Sequence, residues 1–427
     1  MSDPLHEIVL AQKRGEARGI ASICSAHPWV LKSCLCGAES VLVEATCNQV
    51  NQYGGYTGMT PADFVHFVRG IAAENGLPAE RLILGGDHLG PSPWQDHPVE
   101  LAMSQAAEMV QDYVLAGFTK IHLDASMRLG EDDPTRPLDP ELAARRTARL
   151  AKVAEETFAK VPQRPQALKY VIGSEVPIPG GATEHKESIE VTNVEDARCT
   201  LEVMQTAFVE AKLEPAWERV IAFVVQPGVE FGDKFIFDYD PDAARNLARY
   251  SESSPFIYEV HSTDYQTREN LRNLVHDHFA ILKVGPALTF AFRQAVFALA
   301  MMESELLPLA RRSRLIETLE AAMQHEPVHW KKYYHGDERE LAFARKYSLS
   351  DRARYYWRDK GVQAALTKLM ANLDEVSLPL SLINQFMPEI YPGIRSGAIA
   401  NSANKIVDQH IRSVLDDYSY ACSGDCK

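Results

Sequence analysis

Eight short runs rich in β-branched and aromatic residues alternate, over the first 285 residues, with stretches of helical periodicity. No other feature of the chain limits its fold as much. The runs are 19–24, 40–46, 82–88, 118–124, 170–176, 220–228, 256–264 and 279–285. Helical patterns lie between them, among them 100–116, 143–158, 194–213 and 267–275. Strands that alternate with helices pair in parallel, and eight of them are the number that closes a (β/α)8 barrel. An open doubly wound sheet is the competing architecture. It is disfavoured because no GxGxxG loop follows the first run and the alternation has no break. From about Thr289 onward the pattern is helical only. The expected fold is α/β: a (β/α)8 TIM barrel over residues 1–300, with a helical C-terminal extension, 301–427, packed on it.

A hydrophobic fraction of 46% is enough for a core of that size. The net charge of −14 argues against nucleic acid or an acidic membrane surface as a partner. No apolar run has the length to span a bilayer, and the N-terminus lacks the basic-then-apolar order of a signal peptide. The seven cysteines are odd in number and sit mostly in strand-like or helix-like segments, so free thiols and a cytoplasmic location are expected. Cys422 and Cys426 near the C-terminus could bind metal or pair, but two cysteines on a tail more often do neither.

Barrel enzymes place their chemistry at the C-terminal ends of the strands. Here those ends carry Glu44, Asp87, His88, His122, Asp124, Glu175, Gln226, His261 and Lys283. Each has a bland explanation: Glu44 pairing with a loop, Asp87 or Asp124 capping a turn or helix, His88 or His122 satisfied in the core. Three histidines and four carboxylates in one mouth are nevertheless costly unless they hold a cation or move protons. The loop 48–58, with Asn48, Tyr53 and Tyr56, has the donors and rings of a sugar site, or it plugs the barrel as an Ω-loop. A phosphate would be expected near the last two strands, where Ser262, Thr263, Lys283 and Gly285 stand. Lys283 has two other readings, a buried ion pair and a Schiff-base lysine.

The segments GGDHLGP, KIHLDAS, SEVPIPGG, EVHSTD and LKVGPA resemble the barrel of the class II, metal-dependent ketose-bisphosphate aldolases. The resemblance implies that Asp87 is the acid/base carboxylate, that His88 and His261 bind a metal, and that Asp124-Ala-Ser, Glu175 with Gly180-Gly181, and Lys283-Val284 match further motif positions. A histidine of that family after the sixth strand is replaced here by Gln226. Its carbonyl oxygen suits a harder divalent ion better than an imidazole-loving one.

A closer resemblance, covering nearly the whole chain, is to the Z-subunit family of tagatose-bisphosphate aldolase, formerly described as tagatose-6-phosphate kinases. It is carried by SICSAHPWVL, EATCNQVNQYGGYTGMTPADF, RLILGGDHLGP, AGFTKIHLDASM, YEVHSTDYQT, RYYW and LPLSLINQFMPEIY. Three functions follow as expectations. The first is metal-dependent 4-epimerisation of tagatose 6-phosphate or free tagatose by retro-aldol and aldol steps. Asp87 would transfer the proton (Asp124 or Glu44 second), His88, Glu175 and His261 would hold Zn, Mn or Mg, and Gln226, His122, Asn48 and the phosphate group of residues would bind sugar. The second is an accessory role beside a class II aldolase subunit. The third is a sugar kinase, disfavoured because the chain has no GxxxxGK[ST] loop. Expected partners are a sugar or sugar phosphate, that aldolase subunit, and further copies of this chain. Arg352, Tyr355, Tyr356, Trp357 and Arg395 of the extension either reach the site or only pack.

Overall fold

The computed structural model describes residues 3–37, 40–161, 166–173 and 189–424. All eight runs contain a strand: β1 Ile20–Ile23, β2 Val41–Thr46, β3 Leu82–Leu89, β4 Lys120–Leu123, β5 Lys169–Ile172, β6 Val220–Val224, β7 Ile257–Val260 and β8 Phe279–Val284. Each pairs in parallel with its neighbours, and β1 bonds to both β2 and β8, so the sheet closes on itself. Several strands stop short of the polar residues that end their runs. β6 ends before Gln226 and β7 before His261, which leaves those side chains on the connecting loops. The end of the fifth run, with Glu175 and Gly180-Gly181, lies outside the described residues.

Strand alternation decides what fills the barrel. Low in the interior, Ile20, Leu42, Ile83, Ile221, Ile257 and Ile281 belong to one apolar cluster. Leu5, Ile8 and Val9 of the N-terminal helix Pro4–Lys13 complete that cluster and stopper the barrel from below. Two residues further along the same strands the inward positions become charged: Glu44 on β2, Glu259 on β7 and Lys283 on β8, all buried. Gly85 pairs in register with Glu44 and leaves it room, since a Cβ there would lie 2.7 Å from the Glu44 Cγ.

Helices begin where the sequence provides caps. Thr60 and Asp63 form a reciprocal capping box with Pro61 in the first turn, and the helix Pro61–Glu74 follows. A two-stranded antiparallel hairpin, Glu230–Phe231 with Ile236–Phe237, was not expected; two-residue strands are too short to show a period.

The extension is helical. Helix Pro286–Leu306 runs across residue 300, and the last helix, Ala403–Cys422, packs against it and against helices Arg268–His276 and Pro28–Leu35. The turn Arg352–Tyr355 reaches the barrel mouth, where the Tyr355 ring meets Tyr56 edge-on at 4.7 Å. Trp357 is buried against His27 and Phe292, Tyr356 is buried, and Arg395 points to solvent. No helix among the described residues is long and apolar enough to cross a membrane.

Candidate active site

The charged layer is a lattice of ion pairs. Lys120 Nζ lies 2.7 Å from Glu44 Oε1 and 2.6 Å from Glu259 Oε2. Lys283 Nζ lies 2.7 Å from Glu44 Oε2 and 2.5 Å from Asp87 Oδ1. Burial opposes the charge on Lys283, but Asp87, Glu44 and Glu259 outweigh it and raise its pKa well above the usual range. A lysine held so firmly as an ammonium is a poor Schiff-base nucleophile. Burial likewise opposes the Asp87 anion, and the neighbouring Lys283, His88 and His122 more than offset it, so the carboxyl sits well below its ordinary pKa.

Above this floor the three histidines converge. His122, fully buried, places Nδ1 2.9 Å from Asp87 Oδ1. His88 Nδ1 lies 3.1 Å from Asp124 Oδ2, and His261 Nε2 lies 3.3 Å from Glu259 Oε1. A carboxylate can only accept, so Asp124 and Glu259 set a proton on the His88 and His261 nitrogens that face them, while His122 Nδ1 also accepts from the His88 backbone N–H (3.2 Å). The other ring nitrogens of this second pair, His88 Nε2 and His261 Nδ1, face each other 3.2 Å apart. Neutral rings would present two lone pairs there, whereas the charged His88, opposed by burial but favoured more strongly by Asp87 and Asp124, places its own proton between them. Two acceptors aimed at each other repel unless a cation or a proton stands between them.

A divalent metal fits this arrangement. Bonds of about 2.0–2.1 Å at tetrahedral or octahedral angles put two ligating nitrogens about 2.9–3.4 Å apart, which brackets the observed separation. Formal charge agrees: four carboxylates (Glu44, Asp87, Asp124, Glu259) against two ammonium groups (Lys120, Lys283) leave two negative charges in a buried site. Donor atoms of Asp87, His88, His122 and His261 all lie within 4.8 Å of one another. The backbone is strained at the same place: His88 (φ 49°) and Ser262 (φ 56°) both adopt left-handed conformations at strand ends.

The other expected residues are placed as follows. Asp124 also accepts from the Ser126 hydroxyl (2.6 Å), and its pKa is about 2: burial raises it, and the His88 contact more than reverses that. The Gln226 side-chain oxygen accepts from Gly228 N–H (2.8 Å), closing its own turn. The Thr263 hydroxyl donates to the Lys283 carbonyl (2.7 Å), and Tyr418 OH donates to the Thr263 carbonyl (2.9 Å). Gly285 N–H and Ala287 N–H donate to Asp264 Oδ1 (3.0 and 2.8 Å), so an internal carboxylate holds the amides at the start of helix Pro286–Leu306. Asn48 is exposed on the mouth loop, whose turn is held by Asn51 Oδ1 accepting from Tyr53 N–H and Gly55 N–H.

Lys120 and Glu259 were not anticipated. The available signal was parity: a charge inside an apolar strand, two residues before a strand-end histidine, at Lys120/His122 and again at Glu259/His261.

Burial raises the Asp264 carboxyl to about 6, the two amide bonds only partly opposing it. The folded state therefore binds this proton more tightly than the unfolded state. The stabilisation is complete below about pH 4 and is lost as pH rises through about 6. Asp264→Asn keeps an acceptor for both amides and carries no charge. It is expected to be more stable than wild type by about 1–3 kcal/mol at pH 8, with the difference vanishing near pH 4. Urea midpoints at the two pH values check this, and equal differences at both would refute it.

The chain is similar to known proteins along nearly its whole length. Residues 5–423 match the family model described as "D-tagatose-1,6-bisphosphate aldolase subunit GatZ/KbaZ-like". The chain is 52% identical over 425 residues to the D-tagatose-1,6-bisphosphate aldolase subunit GatZ of Salmonella agona (strain SL483), covering 99% of this chain and 100% of that protein. It is similar to the crystal structure of a probable tagatose 6 phosphate kinase from Sinorhizobium meliloti 1021, with a TM-score of 0.87 and 45% identity over 95% of this chain and 100% of that one. Fructuronate-tagaturonate epimerase UxaE from Cohnella laeviribosi shares the fold, with a TM-score of 0.50 and 12% identity over 98% of this chain and 86% of that one.

Proposed function

The chain belongs to the D-tagatose-1,6-bisphosphate aldolase subunit GatZ/KbaZ-like family, and from that premise we propose that it serves as a subunit of a class II tagatose-1,6-bisphosphate aldolase in the cytoplasm. Full-length similarity at 52% identity to a protein of that name supports this reading.

The site favours a second activity in the same chain. A purely supportive barrel has no use for two carboxylate-oriented histidines whose other ring nitrogens meet at 3.2 Å beside Asp87 and His122. We propose that this site epimerises a ketohexose 6-phosphate at C4, interconverting D-tagatose 6-phosphate and D-fructose 6-phosphate, or acts on the free ketoses. His88 and His261 would hold the divalent ion, with Glu175 as the third ligand implied by the class II aldolase resemblance. When bound, the ion polarises the ketose carbonyl as a Lewis acid. Asp87, kept unprotonated by Lys283 and His122, accepts the C4 hydroxyl proton through Oδ2, the oxygen those two residues leave open. The C3–C4 bond breaks as its electron pair passes towards the carbonyl, and C4 leaves as an aldehyde. Rotation of that aldehyde, re-addition to its other face and return of the proton from Asp87 invert C4. Asp124 and Glu259 keep His88 and His261 in their required tautomers throughout.

The test is incubation of the purified chain with tagatose 6-phosphate or tagatose, with Zn²⁺, Mn²⁺ or Mg²⁺ or with EDTA, followed by NMR. A parallel arm adds a class II tagatose-bisphosphate aldolase and measures co-elution and aldolase half-life. EDTA-sensitive conversion by the chain alone, absent in Asp87→Asn and His261→Ala, is expected. No conversion with any metal would discard the epimerase reading, and no effect on the aldolase would discard the subunit reading.

A further inference from the structure

Arginines buried in this protein are almost all paired. Arg146 meets Asp132 at 2.7 Å, Arg293 meets Asp351 at 2.6 Å and Arg345 meets Glu320 at 2.6 Å. Arg352 is the exception among the described residues. It is 3% exposed, stacks on the Tyr333 ring at 3.1 Å and donates to the His329 carbonyl (3.0 Å). Its Nε is buried without a partner, and no described carboxylate lies within ion-pair distance. Two residues along the same turn, Arg354 is half-buried and also lacks a carboxylate partner among the described residues. Its Nη2 donates to Tyr355 OH (2.9 Å) and its Nη1 to the carbonyls of Asp351 (3.2 Å) and Ser350. Two adjacent guanidinium groups without an anion are expensive to desolvate, and such a site is normally completed by an oxyanion.

The turn also lies in the right place. Tyr355, stacked under the Arg354 guanidinium (4.5 Å), packs edge-on against Tyr56 of the β2 loop. Through Tyr355, Arg354 is thus held beside the β2 loop at the rim of the mouth. The usual phosphate cradle of a barrel, the backbone amides after the last strands, is here filled by Asp264. An anionic end of a substrate must find its donors elsewhere.

We propose that Arg354, backed by Arg352, is the phosphate-monoester subsite of the barrel mouth, binding the end of the sugar remote from the histidines. The inference rests on the mouth being a ketose-phosphate site. A planar, permanently charged fork suits a dianionic phosphate, and the Tyr355 hydroxyl pre-orients it.

The test measures binding of tagatose 6-phosphate, free tagatose and inorganic phosphate to wild type, Arg354→Gln and Arg354→Lys by calorimetry. Mn²⁺ binding is read separately. Arg354→Gln is expected to weaken tagatose 6-phosphate roughly 10–100-fold and free tagatose not at all, with Mn²⁺ binding unchanged; Arg354→Lys should recover part of the loss. In unaltered protein, phosphate should protect Arg354 from phenylglyoxal, read by peptide mass mapping, so the inference is testable even if the variants fold poorly. Equal loss for both sugars, undiminished binding in Arg354→Gln, or no protection would overturn it while the ketose-phosphate reading stands. If a keto-hexuronate of the same length were bound better than the phosphate, and only its binding fell in the variant, the ligand class would be wrong. Binding of neither sugar by Mn²⁺-loaded wild type would overturn the ketose-phosphate reading, and this inference with it.

Discussion

Gly90→Ala is expected to destabilise the protein by more than about 4 kcal/mol, the range reserved for backbone clashes and core disruption. A Cβ at this position would lie 1.6 Å from the carbonyl oxygen of Asp124, and that oxygen is backbone with no rotamer to escape into. The chain end of β3 here presses directly on the chain leaving β4, where Asp124 N–H donates to the Leu89 carbonyl (3.1 Å). Moving Asp124 also withdraws the carboxylate that orients His88, so any folded remnant should bind divalent metal poorly. Gly70→Ala provides the contrast. It lies on the exposed face of helix Pro61–Glu74 with nothing within 4 Å of its would-be Cβ, and should stabilise by about 0.5–1 kcal/mol. Urea unfolding of both variants checks the pair. A Gly90→Ala protein with the wild-type midpoint would show that the β3–β4 crossing is not as close as described.

Lys120→Met is expected to cost about 3–5 kcal/mol, because it removes one of the two ammonium groups between Glu44 and Glu259 and leaves Glu259 with only the Lys283 ammonium, at 3.7 Å. Burial opposes the Lys120 charge, yet Glu259 and Glu44 more than compensate and raise its pKa, so the wild-type lysine is charged at any working pH. Adding Glu259→Gln removes one of the stranded charges and should restore part of the loss. Metal affinity should not return with it, because a glutamine presents His261 with either a donor or an acceptor and no longer dictates the tautomer. Melting and metal titration of the single and double variants separate the two effects. An unchanged melting temperature in Lys120→Met would mean that the lattice contributes nothing to stability.

Much of this protein is legible in its sequence because the barrel imposes two periods at once. Alternation with helices marks the strands as parallel, and parity within each strand assigns residues to the interior. Asp87, His122 and His261 fall on inward-facing positions, so their meeting could be anticipated; His88 is out of parity with Ile83 and joins them only through its left-handed backbone (φ 49°). Lys120 and Glu259 follow the same parity but were masked by their setting, since a charge in a buried apolar run looks like an interruption until its partner is known. That partner sits on another strand, more than a hundred residues away, and no local pattern records the distance.

The sequence by itself determined the barrel, the helical extension, the helix caps and which strand ends carry ionisable groups. These depend on spacing along one strand or helix, where neighbours in the chain are neighbours in space. Only the tertiary structure decided which atoms those groups turn to one another. It set the protons between His88, His261 and their carboxylates, gave the amides after β8 to Asp264, and brought Tyr355 of the turn Arg352–Tyr355 against Tyr56 from far along the chain. Each of those outcomes depends on separations of about 3–4 Å between residues remote in sequence, and at that range electrostatics and hydrogen bonding change sign or vanish with small displacements.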